Sequence, residues 1–333
     1  MKTALVVTSI SAPNPVLQAL ASQSQERDYH FIVIGDRKSP EKFELPGCEF
    51  YSLSQQQKND LKLAEICPVG HYARKNIGYL LALQNEAQII LETDDDNFPY
   101  DSFGQSLQRQ QTVPSIENSG WLNVYQYYTD ARIWPRGFPL DALHQPLPDW
   151  ESLPVKTVDC PIQQGLANDN PDVDAIYRLT LPLPQQFRRD RRLALKKGTW
   201  CPFNSQNTAW WQEVFPLMYL PAYCSFRMTD IWRSFVAQRV LWTTDWGLLF
   251  HEPTVYQERN VHDLMRDFEQ EIPGYLHNRK ICETLENLDL KTGQESLADN
   301  LYNCYEKLVS LEFFPKEELD LLKAWLQDLQ AMV

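Results

Sequence analysis

The sequence predicts an α/β fold with a mostly parallel central sheet flanked by helices, on three observations. Short apolar runs rich in β-branched residues recur: "ALVVTSI" (4–10), "HFIVIGD" (30–36) and "QIILE" (88–92). Helical spacing of apolar residues lies between them. Strand, helix, strand, helix, strand at such spacings gives right-handed βαβ units and parallel pairing.

Taken in order, residues 4–10 read as a buried strand, and Pro13 to Gln23 as a helix opening after a loop. Residues 30–36 form a second strand that ends in Asp36. A Gln-rich stretch from Ser54 leads into "HYARKNIGYLLALQNEA" (71–87), where Ile77, Leu80, Leu81 and Leu83 fall at helical spacing. "QIILE" follows, and directly behind it stands "TDDDNFP" (93–99), with Asp94, Asp95 and Asp96 at the strand's carboxyl end. Ligands of open α/β sheets bind beyond those ends. One crevice therefore gathers Thr8 to Ala12, Asp36 to Lys38 and Asp94 to Asp96.

The second half changes character, rich in proline and tryptophan from Trp134 to Trp211. "NDNPDVDAIYRLT" (168–180) crowds carboxylates around a proline but lacks the glycine and terminal glutamate of a calcium loop. "TWCPFNSQNTAWW" (199–211) is an amide-rich loop between aromatics. Asn204, Gln206 and Asn207 there are suited to hydrogen-bonding sugar hydroxyls, or form an ordinary turn. "RMTDIWRSFVAQRVLW" (227–242) reads as an amphipathic helix with Ile231, Phe235 and Leu241 inward and Asp230 near its start, where an aspartate also serves as a cap. From Tyr275 the chain reads as a helical appendage that braces the rest or forms a homodimer surface. The expected division is 1–274, with a nucleotide-binding half (1–110) and an acceptor half (111–274), then 275–333.

With 43% hydrophobic residues, 10 Trp, 15 Tyr and 15 Phe in 333 residues, a large core is expected. A formal charge of −13 argues against nucleic acid as a partner. Seven scattered cysteines without a CxxC pair suit reduced thiols and a cytoplasmic setting. The N-terminal apolar run is read as a strand rather than a signal peptide, and no stretch is long enough to span a bilayer, leaving peripheral membrane contact at most. Neither GxGxxG nor GxxxxGK[ST] occurs.

Three aspartates crowded at a strand end repel one another unless water or a cation intervenes. Oxygen ligands with few histidines and no cysteine nearby suit a hard divalent ion, Mg²⁺ or Mn²⁺, that leaves positions open for phosphate oxygens. A solvated acidic turn is the alternative for the run alone.

The segments "ARKNIGYLLALQNEAQIILETDDDNFP", "DNPDVDAIYRLT", "PFNSQNTAWW", "MTDIWRSFVAQRVLW" and "PTVYQERNVHDL", in that order, resemble the STELLO family of glycosyltransferases. The resemblance implies a GT-A domain, a Rossmann-like nucleotide-sugar fold with a DXD motif, here Asp94 and Asp96 around Asp95. It implies that Asp94 and Asp95 contact the donor and that Asp94 and Asp96 hold the metal, with His262 as a third ligand, His251 being the weaker candidate. It places Thr8, Ser9 and Asp36 at the base and ribose, Arg74, Lys75 and Asn76 at the donor, and Asp230 as the base facing the acceptor, supported by Trp232 and Arg233. The implied reaction moves a sugar from a nucleotide-sugar, UDP favoured, to a sugar or lipid-linked glycan acceptor in surface glycan biosynthesis. A basic stretch, Arg188 to Lys197, lies where it could approach such an acceptor or solvate a helix face.

A weaker resemblance is to the reversibly glycosylated polypeptides, UDP-sugar mutases, through "WPRGFPL" (134–140) and "MTDIW". It makes Arg136 a candidate glycosylated residue and leaves a mutase or self-glycosylating protein as a rival, beside a non-catalytic sugar-nucleotide scaffold. No membrane anchor is read, so the Golgi setting of plant relatives is not carried over.

Overall fold

The computed structural model describes residues 1–258 and 263–332. Strand β1 (Thr3–Thr8) is followed by helix α1 (Pro15–Glu26), whose start is set by Asn14, accepting from the Leu17 N–H, and by Pro15 in the first turn. Next come β2 (His30–Ile34), β3 (Glu49–Tyr51), the short helices α2 (Leu53–Lys58) and α3 (Lys62–Ile66), then α4 (Lys75–Gln84) and β4 (Ile89–Thr93). Pairings β1–β2, β2–β3 and β1–β4 are all parallel, so the N-terminal half is the βαβ sheet that the apolar runs imply.

The sheet continues as a mixed one through β5 (Asn97–Pro99), β6 (Gln110–Ile116), β8 (Val155–Asp159), β9 (Ile162–Asn168), β10 (Leu193–Leu195), β12 (Asn207–Trp211) and β13 (Leu248–Gln257). A separate two-stranded pair joins β7 (Gly120–Trp121) to β11 (Thr199–Trp200). Strand order is β3-β2-β1-β4-β12-β9-β13-β10-β6-β8, with β5 on β13. Strand β12 lies antiparallel to β4, Asn207 opposite Thr93. That register sets the 204–207 loop beside the aspartates.

Alternation along β1 divides the core. Leu5 and Val7 face α1, while Ala4 and Val6 face α4 and the C-terminal helices. Helix α4 approaches closely because Gly78 has no side chain; a Cβ there would stand 2.5 Å from Val6 Cγ1.

After the short α5 (Ala175–Thr180), helix α6 (Thr229–Leu241) departs from the amphipathic expectation, being buried on every side except at Arg239. Helices α7 (Leu264–Glu286) and α8 (Leu297–Ser310) cover its outer side, which is why its polar residues are enclosed, and α9 (Glu317–Gln330) packs on α8, α3 and α4. The C-terminal helical region is therefore present and packed onto the sheet domain, with α7 running unbroken through residue 275. All seven cysteines are free. Among the described residues no helix is long and apolar enough to cross a membrane.

Candidate active site

Strands β1, β2 and β4 deliver Ser9, Asp36 and the aspartate run to one edge. Ser9 Oγ donates to Asp95 Oδ2 at 2.5 Å, and Asn14 Nδ2 to the Asp95 carbonyl at 2.8 Å. Thr8, the last residue of β1, is half-buried beside them. Asp36 accepts the main-chain N–H groups of Gly70 and His71 at 2.8 and 2.9 Å, fixing the loop that leads to Tyr72. The ring of Tyr72 lies edge-on to Phe226, an exposed aromatic at the rim.

Asp94 is the centre of the site. Its Oδ1 accepts from Lys75 Nζ at 3.2 Å and from the Tyr72 hydroxyl at 3.1 Å. Lys75, fully buried at the start of α4, also donates to the Thr93 carbonyl at 2.7 Å. With its own proton directed to Asp94, the Tyr72 hydroxyl accepts from the Ser205 hydroxyl, and Ser205 reaches Asp230 Oδ2 through its N–H at 3.3 Å. A continuous hydrogen-bonded chain thus runs from the strand-end carboxylate to Asp230 in the first turn of α6.

Arg136 holds the far side. Its guanidinium grips Asp230 with two bonds, 3.0 and 3.1 Å, and Asp172 with two more, 2.7 and 2.9 Å. Gly137 makes this reach geometrically feasible, with φ of 86° and its α-carbon face against Ile231 of α6; a Cβ there would lie 2.4 Å from Ile231 Cγ2. Asn204 Nδ2 donates to Asp172 at 2.9 Å. Between these groups opens a cavity of about 70 Å³, lined by the carboxylates Asp94, Asp172 and Asp230, the guanidinium groups of Arg136, Arg178 and Arg227, and the amides of Gln206 and Gln257.

The charges are unevenly compensated. Burial, opposed by the Lys75 ammonium and reinforced by Asp96 and Asp230, pushes the Asp94 carboxyl up to about 6. Asp95 is also raised, by burial first, against the pull of Ser9. Burial acts on Asp230 the same way, but Arg136, then Arg233 and Arg227, outweigh it and hold that carboxyl below its ordinary value.

A divalent cation suits this edge. A bound positive charge would relieve a carboxylate held up by burial and by acidic neighbours, and the nearby donors are hard oxygens. Asn97, next after Asp96, is fully buried with neither side-chain amide atom partnered. Both carboxylate oxygens of Asp96 accept from Gln257 Nε2 at 3.1 Å. Among the described residues no group of three or more His, Cys, Asp or Glu forms a ready-made metal cage. His262 lies outside the described residues.

Several residues expected here have other partners. Arg74 donates to Gln56 and the Cys67 carbonyl, and Asn76 pairs with the main chain of Leu220, both turned into the core. Arg233, expected to orient Asp230 or a phosphate, instead forms a two-bond pair with Glu92 at 2.8 and 3.0 Å beneath the site. Trp232 donates to Asn278 of α7. Asn207 bonds the Leu166 carbonyl and Thr254, and with His251 lines a different cavity of about 230 Å³. Burial lowers His251 to about 4 despite Glu252, so its imidazole is neutral. Sequence reading missed Tyr72, Ser205, Asp172 and Gln257; all four lie inside segments already singled out, and none carries a motif of its own.

The class is therefore an α/β protein with a carboxylate-lined cavity at the ends of parallel strands. A family model described as STELLO glycosyltransferases matches residues 227–333. The chain is 26% identical over 344 residues to "Probable glycosyltransferase STELLO2" of Arabidopsis thaliana and 25% identical over 347 residues to "Probable glycosyltransferase STELLO1" of the same plant. Each alignment covers 98% of this chain and 44% of the relative, so the chain spans less than half the length of the curated relatives it matches. The resemblance to STELLO glycosyltransferases thus extends over nearly the whole chain. Among solved structures, a mycobacterial protein aligns with a TM-score of 0.43 and 14% identity over 83% of this chain and 74% of that one. Glucosyl-3-phosphoglycerate synthase of M. tuberculosis gives 0.40 and 14% over 83% and 80%. Likeness at these levels carries nothing about activity.

Proposed function

We propose that the chain is a GT-A glycosyltransferase that moves a sugar from a nucleotide-sugar donor, with UDP as carrier, to a hydroxyl of a sugar or lipid-linked glycan, using Mn²⁺ or Mg²⁺. The observation that carries this reading is the single cavity where Asp94, at the end of a parallel strand, and Asp230, at the start of α6, meet. A cytoplasmic role in surface glycan synthesis is the setting that this reading favours.

In this reading Asp94 and Asp96 hold the cation, while Thr8, Ser9 and Asp36 border the nucleoside. When bound, the cation neutralises charge gathering on the departing diphosphate. Lys75 adds a fixed positive charge behind Asp94, and Tyr72 and Ser205 keep the donor-side and acceptor-side carboxylates in register. The Arg136 pair keeps Asp230 ionised and aimed. As the acceptor oxygen bonds to the sugar's anomeric carbon and the carbon–diphosphate bond breaks, the hydroxyl proton becomes acidic enough to pass to Asp230. Gln206 and Gln257 supply hydrogen bonds to sugar hydroxyls from the cavity wall.

The mutase reading has less support, because Arg136 is 6% exposed and its guanidinium is committed to two carboxylates. Turnover of a panel of UDP-, GDP- and CMP-sugars, with Mn²⁺ or EDTA, separates the readings. Cation-dependent release of nucleoside diphosphate from one donor, lost in Asp94→Ala and Asp96→Ala, is the expected result. Isomerisation of the donor without release would replace transferase by mutase. Failure to bind any donor would reduce the site to an acidic turn.

A further inference from the structure

Helix α9 carries two buried carboxylates on its inner side, Glu318 at 0% exposure and Asp328 at 5%. Among the described residues neither makes an ion pair. Burying an unpaired carboxylate is costly, and an apolar side chain would pack this helix more cheaply. Both carboxylates are instead saturated by segments of the sheet domain, Glu318 by the chain at 219–223 and Asp328 by the first turn of α3. Glu318 accepts from the Tyr219 hydroxyl at 2.5 Å and from the main-chain N–H groups of Ala222 and Tyr223 at 3.1 and 2.8 Å. Asp328 accepts from the N–H groups of Lys62 and Leu63 at 3.0 and 2.9 Å.

Each clamped segment leads to the candidate active site. Past Tyr223 the chain turns through Phe226–Met228 into α6, and so to Asp230. Beyond Lys62 and Leu63, helix α3 ends at Cys67, whose carbonyl receives Arg74, the residue between Tyr72 and Lys75 on the way to Asp94. Both anchors sit on one rigid element, about 15 Å apart along its axis at 1.5 Å per residue. Trp325 lies between them, its indole N–H donating to the Pro216 carbonyl at 3.1 Å and its ring against Tyr79 of α4 and Tyr219.

We propose that α9 is a positioning strut for the site, Glu318 setting the segment that delivers Asp230 and Asp328 the segment that delivers Tyr72 and Lys75. The reading deepens the proposed glycosyl transfer and rests on it for its kinetic consequences. Its structural half stands apart from activity.

The test uses the whole chain as Glu318→Gln, Asp328→Asn and, as a milder cut that leaves the two main-chain bonds, Tyr219→Phe. Amide hydrogen exchange should rise about tenfold in residues 219–230 for Glu318→Gln and in 62–75 for Asp328→Asn, with strands β1 and β4 unchanged. Steady-state turnover should split the same way: Glu318→Gln lowers kcat with donor KM held, Asp328→Asn raises donor KM, and Tyr219→Phe gives a weaker form of the first pattern. Exchange that stays unchanged in these segments, or rises evenly across the chain, would overturn the strut. So would locally raised exchange with unaltered kinetics. A wild-type protein that turns over no donor would sink the glycosyl-transfer reading, and the exchange pattern would still decide the structural half.

Discussion

Glu92 and Asp94 leave the same strand two residues apart and meet opposite surroundings. Glu92 is sealed: Arg233 grips it with two bonds, the Trp210 indole donates at 2.8 Å, and the Tyr79 hydroxyl adds another bond. Arg233 itself lies over the Trp210 ring, 4.9 Å from its centroid, with 1% of its side chain exposed. Asp94 instead shares one lysine and one tyrosine, faces two other aspartates, and opens onto a cavity. A buried charge is therefore not in itself a functional sign. What distinguishes the two is whether protein donors saturate the carboxylate or leave it to be completed by something bound.

The contrast can be broken most sharply at its closed end. Arg233→Met strands Glu92 without its cation and should cost about 3–5 kcal/mol, read by urea denaturation. A loss under about 1 kcal/mol would mean that Glu92 has another way to be satisfied. Arg136→Ala comes next, at about 3 kcal/mol, because Asp172 and Asp230 lose a shared partner but border a cavity that admits water. The same change should shift the acid limb of the turnover profile to higher pH, since Asp230 would no longer be held below its ordinary value.

Glu318 is an intermediate case, saturated by donors yet without a cation, and should give the smallest effect. Burial, opposed by Tyr219 and the N–H groups of Tyr223 and Ala222, pushes it up to about 7 from an ordinary 4.5. The folded chain then holds a proton that the unfolded chain has released. Its contribution to stability is present below pH 4.5 and is lost as pH rises to about 7. Glu318→Gln should remove that decline from a plot of stability against pH, and an unchanged slope would contradict the assignment.

The first half of the fold was legible because βαβ units are local: Ile77, Leu80 and Leu81 mark a helix, and the apolar runs around it mark the strands. The aspartates at the end of β4 were legible for the same reason. Strand β12 was read as part of a loop, because its pairing with β4 joins residues more than a hundred apart and β-propensity gives way to such context. Polar residues all along α6 suggested a wetted face, and only the later helices enclose it. Arg233 illustrates the limit at the site. One turn beyond Asp230 it reads as that residue's partner, yet packing turns it toward Glu92, 141 residues away. Asp172 was visible as one of several carboxylates around Pro171, but only the fold of "WPRGFPL" shows that Arg136 ties it to Asp230.

The most direct measurement sets Glu92→Gln beside Asp94→Asn, with stability by urea denaturation and donor binding by calorimetry in Mn²⁺. The account predicts that Glu92→Gln loses stability while its folded fraction binds the donor normally, and that Asp94→Asn keeps its stability and loses the donor. Equal losses of stability with donor affinity unchanged in Asp94→Asn would contradict it.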